Sequence, residues 1–163
     1  MPLNIKRPRK QVPFYEDRAA GLQVTAAEKE LTEARKANGD REASKAVRDA
    51  KKALEQAKAA AAETVLDLTL EALPKKVWAE AQEACPPREG DTPDKTFNVN
   101  VDTFLAEVLG KSVVEVRQRG TGELRTDVTA EDWAEATSEM DDGQYSALLL
   151  AILELNRNAT NPF

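Results

Sequence analysis

A chain of 163 residues has room for one domain of ordinary size, or a smaller domain with an appendage, which excludes a large enzyme. Charged residues make up 32% of it and aromatics only 5%, so the deep core is modest and much of the helical surface meets water. The net charge of -6 hides an asymmetry, because residues 1 to 62 hold 14 Lys/Arg against 9 Asp/Glu and residues 63 to 163 hold 9 against 20.

Residues 1–24 read as an irregular basic leader: Pro2, Pro8 and Pro13 interrupt it, and Gly21 offers another break. Its one local signal is the cluster Lys6, Arg7, Arg9, Lys10, which has no interleaved aromatic residues and reads as a solvated tail. From Thr25 the character changes to Ala, Glu, Lys and Arg, with Thr25 and Glu28 spaced as a capping box at a helix start. Ala27, Leu31 and Ala34 share one register; Ala43, Val47, Ala50, Leu54, Ala57 and Ala61 follow another, with alternating spacings of four and three. The registers do not join across Asn38-Gly39-Asp40, so residues 25–62 are expected as an arm of two antiparallel helices, a coiled-coil hairpin. A seam of small residues buries little area, and at about 25 cal/mol per Å² it leaves such an arm marginal alone.

At Glu63 the period switches. Leu66, Leu68 and Leu70 alternate with polar residues as in a half-buried strand, although Leu66, Leu70 and Leu73 also fit a helix. Pro74 suits the first turn of a helix that turns Val77, Trp78, Ala81 and Ala84 or Cys85 to one face and stops at Pro86-Pro87. Residues 88 to 96 read as a polar loop. NVNVD can cap a helix carrying Phe104, Leu105, Val108 and Leu109, with Gly110 near its end. Ser112 to Val116 followed by RQRGTGELR suggests a short hairpin, and Thr129 with Asp132 makes a second capping box for a helix bearing Trp133, Ala136 or Thr137, and Met140. The last helix places Tyr145, Leu148, Leu149, Ile152 and Leu155 at core spacing before a polar tail, 158–163. The expected fold is mainly α: a compact helical domain at 63–157 with at most a short strand or hairpin, preceded by the Ala-rich arm.

Chemistry finds few candidates. There is no histidine, which removes the commonest general base and metal ligand and excludes Ser-His and Cys-His pairs. Cys85 has Arg88 nearby but reads as a small apolar residue at a helix end, and a lone cysteine forms no internal disulfide. Asp91, Asp94 and Asp102 match no EF-hand loop, and Gly120-Thr121-Gly122 lacks the strand and helix that frame a phosphate cradle. No catalytic, cofactor-binding or metal site is expected. No run of about 18 apolar residues offers a membrane span, and MPLNIKRPRK lacks the apolar stretch of a secretory signal, so a soluble protein in a reducing cytoplasm is expected.

The segments LPKKVW, CPPREGD, DK, FNVNVDTF, AEDWAE and QYSALLLAILELN, in that order over about residues 63 to 157, resemble the tail assembly chaperones of tailed, siphovirus-type phages of actinobacteria. A charged Ala-rich arm before them is also usual in that family. Cys85 stands where the family pattern has a histidine before Pro-Pro-Arg, which argues against any role for an imidazole there. The resemblance implies a non-enzymatic protein of the host cytoplasm, absent from the mature virion. Such a protein keeps the helical tape measure protein soluble and helps recruit tail tube subunits. Implied partners are the tape measure protein, the tail tube protein, further copies of the chain and a frameshift-extended form of it; membranes are not among them and nucleic acid is disfavoured. The residues offered for partner contact are Trp78, Arg88, Asp94, Asp102, Phe104, Trp133 and Tyr145, with Trp78→Ala expected to damage folding and Arg88→Ala to spare it. The competing readings are a structural or connector protein of a phage tail and a nucleic-acid-binding coiled coil that uses the basic leader.

Overall fold

The computed structural model describes residues 2–39 and 44–157, so Ala43 and the tail 158–163 lie outside it. Ten elements follow in chain order: β1 (Arg9–Tyr15), α1 (Arg18–Ala37), α2 (Lys45–Ala62), β2 (Val65–Glu71), α3 (Lys75–Ala84), α4 (Thr92–Phe97), α5 (Val101–Ser112), β3 (Val113–Gln118), α6 (Ala130–Glu139) and α7 (Asp142–Arg157). The three strands form one sheet in the order β1-β2-β3. Glu16 N donates to Thr64 O at one end of the first pair and Ala72 N donates to Pro8 O at the other, so these two strands run antiparallel.

This sheet corrects the mainly-α expectation. The chain is mixed α/β, 61% helical with an antiparallel three-stranded sheet that holds 14% of the residues. The element missed was β1, inside what read as an irregular leader. Its side chains are mostly exposed and alternate weakly, so no local pattern announces it; it exists because β2 supplies a ladder more than fifty residues away. The prolines that argued against structure are accommodated. Glu16 and Pro8 set the even-numbered residues of β1 to face β2, so Pro13 lies at a position whose absent N–H faces away. Pro8 has no N–H to give Ala72, and Arg7 Nε donates to that carbonyl instead at 2.7 Å.

The basic cluster is likewise engaged. Arg7 and Arg9 both reach Glu71, at 2.6 and 2.7 Å, and Lys10 reaches Glu154 at 3.0 Å. The Arg9 hydrogen bond, helped by Arg7, holds Glu71 below the usual carboxylate range. Side chains read as a solvated tail therefore fasten an edge strand.

Two compact units divide the chain. One comprises residues 13–67 and 117–124 and contains the arm. Helix α1 is capped eight residues earlier than Thr25, by Asp17, which accepts from Ala19 N and Ala20 N. Thr25 instead lies inside the helix with its hydroxyl on Gly21 O. Asn38 ends α1, Gly39 takes the left-handed φ of 59°, and Ser44 caps α2 through Val47 N. The start of α1 (Gly21, Val24, Thr25) and the end of α2 (Lys58, Ala61, Ala62) line one cleft, so the two helices form the antiparallel hairpin that the register break implied. Ala27, Leu31, Val47 and Ala61 are its buried residues.

The other unit comprises residues 1–12, 68–116 and 125–163. Helix α5 is its centre: Phe104, Leu105, Val108 and Leu109 are fully buried, and α3, α4, α6 and α7 all pack on it. Thr129 and Asp132 form the expected capping box on α6, hydroxyl to N–H and carboxylate to N–H. Leu148, Leu149, Ile152 and Leu155 of α7 are buried, as their spacing required. The expected hairpin after Val116 is present in reduced form, with Arg125 N on Val116 O and Gly122 at a φ of 74° in the turn.

Candidate functional site

The segment CPPREGDTPDKTFNVNVD, expected as a loop and a capped helix, folds into something more specific. Asp91 caps α4, accepting from Asp94 N at 2.9 Å, and Pro93 occupies its first turn. Asp91-Thr92-Pro93 carries the local signal for α4, a capping carboxylate followed by proline in the first turn, within a stretch whose polar composition reads as loop. Asn98 leaves α4 at a φ of 58°, and Asn100 caps α5 through Asp102 N while its own N–H bonds Cys85 O.

Asp94 sits at the centre of this turn, fully buried, and accepts four hydrogen bonds. Arg88 supplies three, from its backbone N (2.8 Å), Nε (2.8 Å) and Nη2 (2.9 Å); Val101 N supplies the fourth at 3.1 Å. The guanidinium also reaches Asp102 at 2.7 Å and Asp91 at 3.4 Å. One buried carboxylate thus joins the loop after α3, the body of α4 and the first N–H of α5. The Arg88 hydrogen bonds hold Asp94 far below the usual carboxylate range, against burial that pushes it up, and the same bonds raise Arg88 further.

A depressed folded-state pKa contributes stability that is complete above the unfolded value near pH 4 and is lost as pH falls below it. Thermal unfolding should therefore be flat between about pH 6 and 8, where the chain has no histidine to titrate, and Tm should drop below about pH 4. Asp94→Asn should lower Tm at neutral pH and shrink the acid-side drop. An unchanged acid slope in that variant would assign the drop to other carboxylates.

Against α4 and α5 lies α7, and the three leave an open groove of about 420 Å³ lined by Pro93, Phe97, Val101, Asp102, Tyr145 and Leu150 among others. Tyr145 pins its far wall, donating its hydroxyl proton to Val101 O at 2.7 Å, and burial raises the phenol. Val101 is thus held from one side by Asp94 and from the other by Tyr145. The groove floor is apolar and Leu150 stays 44% exposed, while Asp102 and Asp142 give the rim negative charge.

The residues offered for partner contact divide accordingly. Asp102 and Tyr145 line the groove, and Arg88 and Asp94 build its α4 wall without facing it. Phe104 is fully buried and Trp133 is 4% exposed, so both are core. Trp78 is half-buried, edge-on to Phe104 at 5.1 Å with Arg157 over its ring at 5.8 Å. Phe97 and Leu150 are the groove residues that sequence reasoning missed. Phe97 read as the start of a capped segment, and Leu150 lay off the core stripe of its helix, which is the sign that it faces outward. Cys85 is buried at the end of α3, unsuited to attack a dissolved substrate. Among the described residues no cluster of three or more His, Cys, Asp or Glu could hold a metal, and no helix is long and apolar enough to cross a membrane.

Comparison with protein-family models, with curated proteins and with solved structures finds no match for this chain.

Proposed function

We propose that the chain is a tail assembly chaperone of a siphovirus-type phage of actinobacteria, which holds the tape measure protein soluble and hands it to tail tube subunits. The groove between α4, α5 and α7 is the observation that carries this reading. It is apolar along its floor, open to solvent and lined in large part by residues of FNVNVDTF and QYSALLLAILELN, two of the segments on which the resemblance rests. A long helical client exposes apolar stripes that aggregate, and a groove of this shape covers such a stripe by helix-in-groove packing. The acidic C-terminal half keeps the complex soluble, and repeated weak contacts along the client permit later displacement by tube protein. The protein acts without catalysis, in the host cytoplasm during assembly, and leaves before the virion is complete. Arg7 and Arg9 share Glu71 and Lys10 meets Glu154, which leaves the basic cluster less free charge for a phosphate backbone and disfavours the nucleic-acid alternative.

Co-expression with the tape measure protein encoded alongside it is the test. The client should become soluble and co-elute with the chain in size-exclusion chromatography, and Leu150→Glu should lower recovery of the complex at least tenfold with Tm unchanged. An equally insoluble client with no co-eluting complex would sink the proposal, and abundant copies in purified virions would favour the connector reading.

A further inference from the structure

The groove between α4, α5 and α7 differs from one end to the other. Both charged residues that line it are aspartates, and both stand at the same end. Asp102 follows Val101 in the first turn of α5, and Asp142 lies one turn before Tyr145 in the first turn of α7. The Tyr145 hydroxyl on Val101 O brings those two first turns together, and the Asp102 charge adds to the burial that raises the phenol. Leu149 and Leu150 stand about two turns further along α7, roughly 10–12 Å from Asp142 at the helical rise.

These carboxylates are available to a partner. Asp142 is exposed and has no ion-pair partner among the described residues, and Asp102 is 68% exposed and meets Arg88 through Oδ2. No lysine or arginine among the described residues lines the groove. An acidic segment laid there would set like charges together beside an apolar site, whereas a basic one would find the charge it needs.

We infer that the groove selects, within its client, helical segments that carry Lys or Arg about seven or eight residues from an apolar pair, the positive charge meeting Asp142 and Asp102 and the pair resting on Leu149 and Leu150. The two aspartates are then specificity-determining residues: they fix which end of the segment lies at the first turn of α7, and they reject apolar stripes flanked by acidic residues. The inference rests on the chaperone reading and names the chemistry of the segment that this reading leaves open.

Overlapping peptides of about 20 residues that cover the tape measure protein, probed with the full chain, test it. Peptides that bind the wild type and not Leu150→Glu report the groove. Those should carry Lys or Arg at the stated spacing and should bind Asp142→Lys roughly tenfold more weakly or worse. Glu135→Lys, the same charge change at an exposed position of α6 outside the groove, should bind them as the wild type does. Replacing the basic residue of such a peptide by glutamate should weaken its binding to the wild type and restore it to Asp142→Lys, an exchange that damaged folding of the variant would not produce. Groove-dependent peptides that bind the wild type and Asp142→Lys alike, or that lack a basic residue at that spacing, overturn the inference and leave the chaperone reading standing. If no peptide depends on the groove the inference is also lost, alone where the co-expressed complex still forms and together with the chaperone reading where it does not.

Discussion

Arg88→Ala is expected to lower Tm by several degrees, because the guanidinium is itself 42% exposed but its loss strands a fully buried carboxylate. From the sequence alone the opposite follows, since Arg88 stands in a polar loop and its loss should spare folding. The structure corrects this: truncation at Cβ leaves Asp94 fully buried with only the N–H groups of residue 88 and Val101, having lost both charge-assisted bonds from the guanidinium. A double-mutant cycle with Asp94→Leu checks the cause. Arg88→Ala/Asp94→Leu should be more stable than Arg88→Ala, because the stranded carboxylate is gone. If the double variant is less stable than the single one, Arg88 contributes by packing instead. Any loss of partner binding in Arg88→Ala would then have to be read at a temperature where the variant is folded, since Asp94 positions the α4 wall of the groove.

Gly110→Val is expected to abolish folding, and Gly110→Ala to destabilise despite better helix propensity. Gly110 lies in the last turn of α5, and a Cβ placed there would stand 2.8 Å from the Cα and 2.9 Å from the Cβ of Ala130 at the start of α6. Replacing a helical glycine by alanine ordinarily gains about 1 kcal/mol. Here the obstacle is backbone, so α6 has to move as a body, and overpacking of that kind costs about 1–3 kcal/mol or more. Valine adds two methyl groups to the same overlap. Circular dichroism and thermal unfolding of soluble Gly110→Ala decide the point: a Tm equal to or above that of the wild type would mean that α6 shifts without cost.

The elements legible in the sequence share one property, that their signal is local. The leucine alternation of β2, the stripe Phe104-Leu105-Val108-Leu109, the Thr129–Asp132 capping box and the register break between α1 and α2 are all set by residues within a few turns of one another. Local spacing misleads where another residue takes the role or a distant strand supplies the partner. Thr25 and Glu28 have capping-box spacing, but Asp17 caps earlier, so the hydroxyl turns to Gly21 O. The leader's prolines suit an edge strand as well as a coil, and only the β2 ladder distinguishes the two.

The candidate site divides in the same way. Composition alone removed histidine chemistry, and the apolar spacing marked α5 and α7 as packed helices. That CPPREGD and FNVNVD meet around one buried carboxylate was beyond pattern reading, because six and seven residues separate Asp94 from Arg88 and Val101 and no repeat period links them. Sequence determined which helix faces leave water, since that follows from hydrophobic periodicity along each helix. Tertiary structure decided which polar residues pair, which glycine admits a neighbouring helix and which apolar residues stay outside. Those outcomes depend on the direction and distance of groups that only the packed chain brings together.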